Sequence, residues 1–416
     1  MSKNKKLVPK RRFKAFQNTD DWEQRELGEV LDFSITTNSL SRNMLNYDVG
    51  ELRSVHYGDI LVNYESILNV NTDKIPFVTG GKVKDFISQL LQDGDIVFAD
   101  AAEDETVGKA VEINGLANGN LVAGLHTIVG RPLNKFADRY LGYYINSDSY
   151  HRQLIPLMQG TKVSSISKSA LQKTKIIYPN MISEQKSIGT FFSNLDQTIA
   201  FQQRKLEKMK SMKSAYLSEM FPAEGERKPK RRFPGFTDDW EQCELGERAR
   251  FINGRAYSQS ELLDSGKYKV LRVGNFYTNS SWYYSDMELG QKYYAEKGDL
   301  LYTWSATFGP HIWDGEKVIY HYHIWKIELD DSIDKSFILQ VLNNDKEELL
   351  RSTNGSTMVH ITKELMESKK FLFPSLNEQK RIGTFFLELD QTIAFQQQKL
   401  EKLQNIKKAY LNEMFI

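Results

Sequence analysis

One long segment occurs twice in this chain of 416 residues, and it leaves few folds open. Residues 184–221 read EQKSIGTFFSNLDQTIAFQQRKLEKMKSMKSAYLSEMF. Residues 378–415 read EQKRIGTFFLELDQTIAFQQQKLEKLQNIKKAYLNEMF, identical at 28 of 38 aligned positions. In the first copy Ile188, Phe192, Leu195, Ile199, Gln202, Leu206, Met209, Lys213, Tyr216 and Met220 alternate spacings of four and three, the stripe of a coiled-coil helix. The second copy repeats it as Ile382, Phe386, Leu389, Ile393, Gln396, Leu400, Leu403, Lys407, Tyr410 and Met414. At about 1.5 Å per residue each would be a rod of about 50 Å. Matched stripes, interrupted at the same place by Gln202 and Gln396, predict that the two helices pair with each other, the polar residue setting register.

The repeat extends beyond the helices. PKRRFKAFQNTDDWEQRELGE at 9–29 returns as PKRRFPGFTDDWEQCELGE at 229–247, so the chain is two tandem units. Each opens with a basic run, Lys10-Arg11-Arg12 or Lys230-Arg231-Arg232, read as solvated surface, followed by an aromatic anchor, Trp22 or Trp240. Pro222 to Lys230, PAEGERKPK, reads as a polar linker.

Between the shared ends lie two dissimilar segments, about 30–157 and 248–352, that align only at landmarks. Gly94-Asp95-Ile96-Val97-Phe98 matches Gly298-Asp299-Leu300-Leu301-Tyr302, a turn followed by a strand, and Gly108 is aligned with Gly309. Leu121–Val129 matches Val318–Lys326, again strand-like, with His126 aligned to His323. Short strands, turns and few long helical patterns predict a mixed α/β segment with a mostly antiparallel sheet. Each unit then closes through Gly160-Thr161-Lys162-Val163-Ser164-Ser165-Ile166 or Gly355-Ser356-Thr357-Met358-Val359-His360-Ile361. A last strand, KIIYP or KFLFP, comes next, and Ser183 or Asn377 is placed to cap the helix.

Composition removes several function classes. A net charge of +1 excludes a uniformly basic nucleic-acid coat, so any nucleic-acid contact needs locally segregated Lys and Arg. Cys243 is the one cysteine, so neither a disulfide framework nor a cysteine zinc site can exist. The N-terminal MSKNKKLVPKRRF lacks a signal-peptide core and no apolar run approaches a membrane span, which places the chain in the cytoplasm as an expectation. No phosphate-binding G-x-x-x-x-G-K-[ST] loop, no Asn-Pro-Pro-aromatic or Asp-Pro-Pro-aromatic methyltransferase tetrapeptide and no Gly-rich turn suited to S-adenosylmethionine is present. His321 and His323, two apart on a predicted strand, with His311 nearby in sequence, fall short of a metal ligand set. The acidic run Glu103-Asp104-Glu105 reads as a solvated loop.

Together the paired IGTFFxxLDQTIAFQQxKLEKL helices, the opening motifs, the GDIVFA and GDLLYT landmarks and the Gly-Thr/Ser loops resemble the specificity subunits of type I restriction-modification systems. The resemblance covers nearly the whole chain, the helix pair being its most specific part. It implies an α+β fold of two tandem pseudo-repeats, each a mixed α/β target-recognition domain followed by a long helix, the helices pairing as an antiparallel coiled coil. The corresponding division is 1–180 and 231–375 for the recognition domains, 181–222 and 376–416 for the helices, and 223–230 for the linker. It further implies a non-catalytic subunit that reads a bipartite, asymmetric double-stranded DNA target and docks two methyltransferase subunits, with restriction subunits in the full complex. S-adenosylmethionine, ATP and Mg²⁺ would sit on those partners and no cofactor on this chain. As a spacer, rods of about 50 Å exceed the ~34 Å of one duplex turn.

For DNA contacts, residue type and loop placement select Arg42, Asn43, Lys74, Lys82 and Lys84 in the first unit. In the second they select Arg255, Tyr257, Ser258, Arg272, Asn275, Trp304, Ser305 and Thr307. Thr161, Lys162, Ser356 and Thr357 in the Gly-led loops suit phosphate contact common to both units. The alternatives are a self-contained DNA enzyme, disfavoured by the missing motifs, and a coiled-coil scaffold with two domains binding ligands other than DNA.

Overall fold

A computed structural model describes residues 7–116, 120–277, 279–305, 307–352 and 361–416. It divides into two compact units, residues 1–203 with 399–416, and residues 204–398. Each long helix therefore contributes to both.

The two helices run Ile182–Met220 and Leu376–Met414, 39 residues each, and every stripe position is buried or half-buried. Helix start differs from expectation: Ser183 and Asn377 lie inside the first turn instead of capping it. In the first unit, Lys407 of the second helix pairs with Asp196 of the first at 2.6 Å, and Tyr410 packs edge-on to Phe191 at 5.2 Å. In the second unit, Lys213 pairs with Asp390 at 2.6 Å and Tyr216 packs edge-on to Phe385 at 5.2 Å. Partner numbers fall on one helix as they rise on the other, so the pairing is antiparallel. The stripe lysines are thereby explained. Burial pulls the Lys407 ammonium down, but Asp196 and Glu65 outweigh it and hold it above its usual value. Gln202 and Gln396 are buried in the stripe, as polar interruptions of a coiled coil are.

Each helix end also completes a core. Phe415, just past the second helix, lies against Phe192, Tyr140 and Tyr144 with centroids 5.5–5.9 Å apart. Phe221 does the same against Trp240, Phe337 and Phe386 at 5.7–6.1 Å. Trp22 and Trp240 are both buried anchors.

The basic runs are only partly solvated, contrary to the reading from charge alone. The side chains of Arg12 and Arg232 are largely buried and hold Glu184 and Glu378, in the first turns of the helices, through paired guanidinium–carboxylate bonds of 2.6–2.7 Å. The bidentate geometry compensates the desolvation of both charges, and a carboxylate in the first turn of a helix meets unsatisfied N–H groups. The neighbouring Arg11 and Arg231 remain exposed and pair with Glu413 and Glu219 at the far ends of the opposite helices. Five residues beyond each buried glutamate stands Gly189 or Gly383. A Cβ there would sit 2.8 Å from the Asp138 carbonyl or 2.6 Å from the Phe337 amide, so only glycine lets the helix approach this closely.

The opening strand pairs antiparallel with the strand before the helix: Glu23–Glu26 with Lys175–Tyr178, and Glu241–Glu244 with Lys370–Phe373. The last strand predicted from KIIYP and KFLFP is thus present in both units. Between them, the first unit builds a five-stranded sheet, ordered Leu31–Asp32, Thr127–Pro132, Ile96–Ala99, Ala110–Asn114, Ile67–Asn69. The second builds a four-stranded counterpart, ordered Ala249–Asn253, Ile324–Leu329, Leu300–Thr303, Gly309–Ile312. Each unit adds a smaller four-stranded sheet in which Arg53–Val55 runs parallel to Leu121–Ala123, or Tyr268–Leu271 parallel to Val318–Tyr320. Among the described residues the other strand pairings are antiparallel except Ile67–Asn69 with Ala110–Asn114, and an isolated bridge of Arg255 with His321 is also parallel.

Two alignments made from landmarks change. The register sets Lys109, not Gly108, in the place of Gly309, because Ile96 faces Glu112 as Leu300 faces Ile312. The stretches Leu121–Val129 and Val318–Lys326 are each two strands joined by a tight turn, so His321 and His323 sit in a turn and do not share a strand face.

Replacing Phe415 with alanine removes the aromatic contacts that close the first core and should destabilise that unit by about 3–5 kcal/mol. Hydrogen exchange should show faster exchange in Tyr140–Ile145 with Lys335–Ser352 unaffected; unchanged protection of Tyr140–Ile145 would show that the helix end is not part of that core.

Candidate nucleic-acid interface

The two turns that replace the expected single strands organise the sites. In the first unit, the Asn38 amide donates to the Ala123 carbonyl at 3.1 Å, Gly124 to Val55 at 2.9 Å, and Asp100 to His126 at 3.1 Å. In the second, Arg255 donates to Tyr320 at 3.1 Å, His321 to Leu271 at 2.9 Å, and Trp304 to His323 at 3.1 Å. One backbone frame is built twice, from segments with little sequence in common. Its rim carries four equivalent pairs of residues: Asn38 and Arg255, His56 and Arg272, Asp100 and Trp304, His126 and His323.

The side chains on the two rims differ in kind. In the first unit, His126 lies 3.2 Å from Asp100 and edge-on to Tyr57 at 5.2 Å, and His56 packs on Tyr57 at 4.7 Å. Burial pushes the Asp100 carboxyl up, with His126 opposing, and pushes the His56 imidazole down. His56 accepts the Gly58 amide at Nδ1, at 3.1 Å. In the second unit the rim is cationic and aromatic. Trp304 donates its indole N–H to the Tyr322 carbonyl at 2.9 Å and stacks on Trp325 at 5.8 Å. Arg255 is held by Glu261 at 2.6 Å, and its guanidinium lies 5.1 Å from the Tyr257 ring centre. Burial first, then His323 and Arg272, push His321 down to about 4, so its imidazole is neutral near pH 7. Burial and Lys346 push His311 to about 4 as well. Among the described residues no group of three or more His, Cys, Asp or Glu gathers as a metal site.

The structure brings together Arg255, Tyr257, Arg272 and Trp304, chosen from three separate stretches. Ser258 instead caps a short 3-10 turn through Glu261, and Asn275 ties its loop by bonds to Arg272, Asn279 and Ser281. Ser305 is half-buried and Thr307 exposed beside Trp304. Ser356 and Thr357 lie outside the described residues. In the first unit, Arg42 pairs with buried Asp59 and donates to the Tyr47 hydroxyl at 2.7 Å, while Lys74 lies over the same ring at 4.8 Å. Asn43, Lys82 and Lys84 are at the surface. Thr161 and Lys162 project from an exposed loop begun by Gly160 at φ 116°. That loop joins the rim, since Ser164–Ser165 pairs with Ala101–Ala102 and the Ile166 amide donates to the Asp100 carbonyl at 2.9 Å.

Sequence reasoning passed over Asn38, His56, Tyr57 and Asp100. The signal was present for Asp100, which follows the GDIVFA landmark as Trp304 follows GDLLYT. A different group with a displaced titration, Glu112, is pushed up to about 7 by burial. It is fully enclosed, and its carboxylate accepts the Arg139 and Gly142 amides, so it caps the start of the Tyr140–Ile145 helix.

Comparison with known proteins agrees with this architecture. Residues 19–211 and 237–405 each match the family described as "Type I restriction modification DNA specificity domain". A putative type I restriction enzyme specificity subunit of Methanocaldococcus jannaschii is 23% identical over 410 residues, covering 94% of this chain and 92% of the relative. A second specificity subunit from that organism is 23% identical over 274 residues, covering 61% of this chain and 64% of the relative. The fold is similar to the crystal structure of a type I S subunit from M. genitalium, with TM-score 0.61, 16% identity and 99% of both chains covered. It also resembles a chain solved in work on assembly and conformational transition of the type I system, with TM-score 0.56, 17% identity, and 95% of this chain and 97% of that one covered. The chain belongs to the type I restriction-modification DNA specificity family, whose subunits are non-catalytic. Among the described residues no helix is long and apolar enough to cross a membrane.

Proposed function

We propose that each unit reads one half of a split, asymmetric double-stranded DNA target through its rim, and that the paired helices dock two methyltransferase subunits. The observation that carries this reading is the single backbone frame with two unlike rims: a constant frame suits one kind of ligand, and unlike side chains suit two different sequences. Half-buried and exposed donors, acceptors and aromatic faces at a turn are what base edges in the major groove require. Lys162 and the Gly160 loop beside the rim would contact phosphate without regard to sequence. Restriction subunits join in the full cytoplasmic complex, and S-adenosylmethionine, ATP and Mg²⁺ are held by the partner subunits.

Docking of two copies of one partner is supported by the helices. Phe201 and Phe395 occupy the same place in the two TIAFQQ segments and are 57% and 63% exposed, whereas the adjacent stripe residues Gln202 and Gln396 are buried. An exposed phenylalanine repeated on two otherwise polar helix faces fits two identical contacts.

Selection from a pool of random duplexes, with the methyltransferase subunit present, should enrich a motif of two defined blocks separated by unread bases; no enrichment would reject DNA reading. In sedimentation, Phe201→Ser and Phe395→Ser should each remove one methyltransferase copy and together remove both. Retention of both copies by the double variant would place docking elsewhere.

A further inference from the structure

Which base the second rim reads is a question of donor geometry, and its answer rests on two-block reading by the two units. Arg272 comes directly after the strand Tyr268–Leu271 and stands at the position held by His56 in the first unit. Its guanidinium lies over the Tyr283 ring, 4.2 Å from the centre, and its Nε is buried without a hydrogen-bond partner. No carboxylate among the described residues pairs with it. The other rim arginine, Arg255, is occupied by Glu261, and Arg42 of the first unit by Asp59.

Stacking on an aromatic face fixes the plane of a guanidinium while leaving its in-plane donors available. With Nε enclosed, the fork that a base edge can reach is the pair of terminal Nη groups. Two parallel N–H groups in one plane match O6 and N7 of guanine, the one base that offers two acceptors side by side in the major groove. The neighbouring His321 is uncharged near pH 7, so it adds no further positive charge beside Arg272.

We propose that Arg272 is a specificity-determining residue that reads a guanine in the half-site of the second unit. The first unit cannot make this contact at the equivalent position. The His56 Nδ1 is engaged by the Gly58 amide, and an imidazole has no fork of donors. The two halves of the target are therefore read with different chemistry in the same frame.

The test is methylation-site mapping on genomic DNA by the assembled complex of this chain with its methyltransferase subunits, comparing the unaltered chain with Arg272→Gln and Arg272→Lys. The lysine variant keeps the charge and most of the stem but loses the planar fork, and it carries the test should the glutamine variant fail to assemble. Both are expected to relax one guanine position in one block by about 5- to 150-fold, the range for a bidentate arginine–guanine pair. The other block, read by the same molecules, should be unchanged and serves as the control for folding. A uniform decline at all sites with the motif intact would make Arg272 a phosphate contact and overturn the proposal, as would an unchanged motif at full efficiency. Absence of any split motif for the unaltered complex would instead overturn two-block reading itself, and this proposal with it.

Discussion

Everything else in the fold hangs on the antiparallel contact between the two long helices. It brings the last residues of one helix back to the first turns of the other, and in doing so finishes a core that neither unit's own segment closes. Phe415 packs among Phe192, Tyr140 and Tyr144, and Phe221 among Phe386, Trp240 and Phe337. The same ends carry Glu413 and Glu219, which meet Arg11 and Arg231 of the opening motifs. Lys407 with Asp196 and Lys213 with Asp390 place charged partners inside the stripe, where only one alignment satisfies both. Both pairs are partly exposed, so they bear on register more than on raw stability.

This geometry constrains the repeated positions that make these contacts. A helix position that must meet the opening arginine, the aromatic pair and the stripe lysine has no freedom to drift. Gly189 and Gly383 show the same restriction from the side of packing, since any side chain would collide with backbone. The intervening segments answer to a looser requirement. They must rebuild three backbone hydrogen bonds around one turn, and backbone bonds are indifferent to side-chain identity. Asn38, His56 and Asp100 on one rim and Arg255, Arg272 and Trp304 on the other satisfy that requirement equally.

Much of this was legible in the residues. The stripes, the buried tryptophans, the strand before each helix and the GDIVFA and GDLLYT strands come from periodicity and turn chemistry, which are local. What misled the reading was nonlocal. Arg12 and Arg232 look like surface charge until Glu184 and Glu378 are brought to them across more than a hundred residues. Leu121–Val129 and Val318–Lys326 look like single strands because apolar and aromatic residues run through both; Gly124 is the one break signal in the first, VIYHYHIWK holds none, and His126 adopts a positive φ of 55° that composition does not announce. The first rim is nonlocal in the same way: His56 has no mark in the sequence, Asp100 is marked only by its place after GDIVFA, and the two form a candidate site when the turn sets them beside His126. In the second unit, arginine and tryptophan stand out by type, so Arg255, Arg272 and Trp304 are candidates without the geometry, and the structure places them around one turn.

Independent reading by two units that share one frame stands or falls on a single exchange. Residues 30 to 157 are replaced by the matching stretch of another subunit of this family, and the sites methylated by the assembled complex are mapped. The expected target has one block changed and the other retained. A change in both blocks would contradict independent reading.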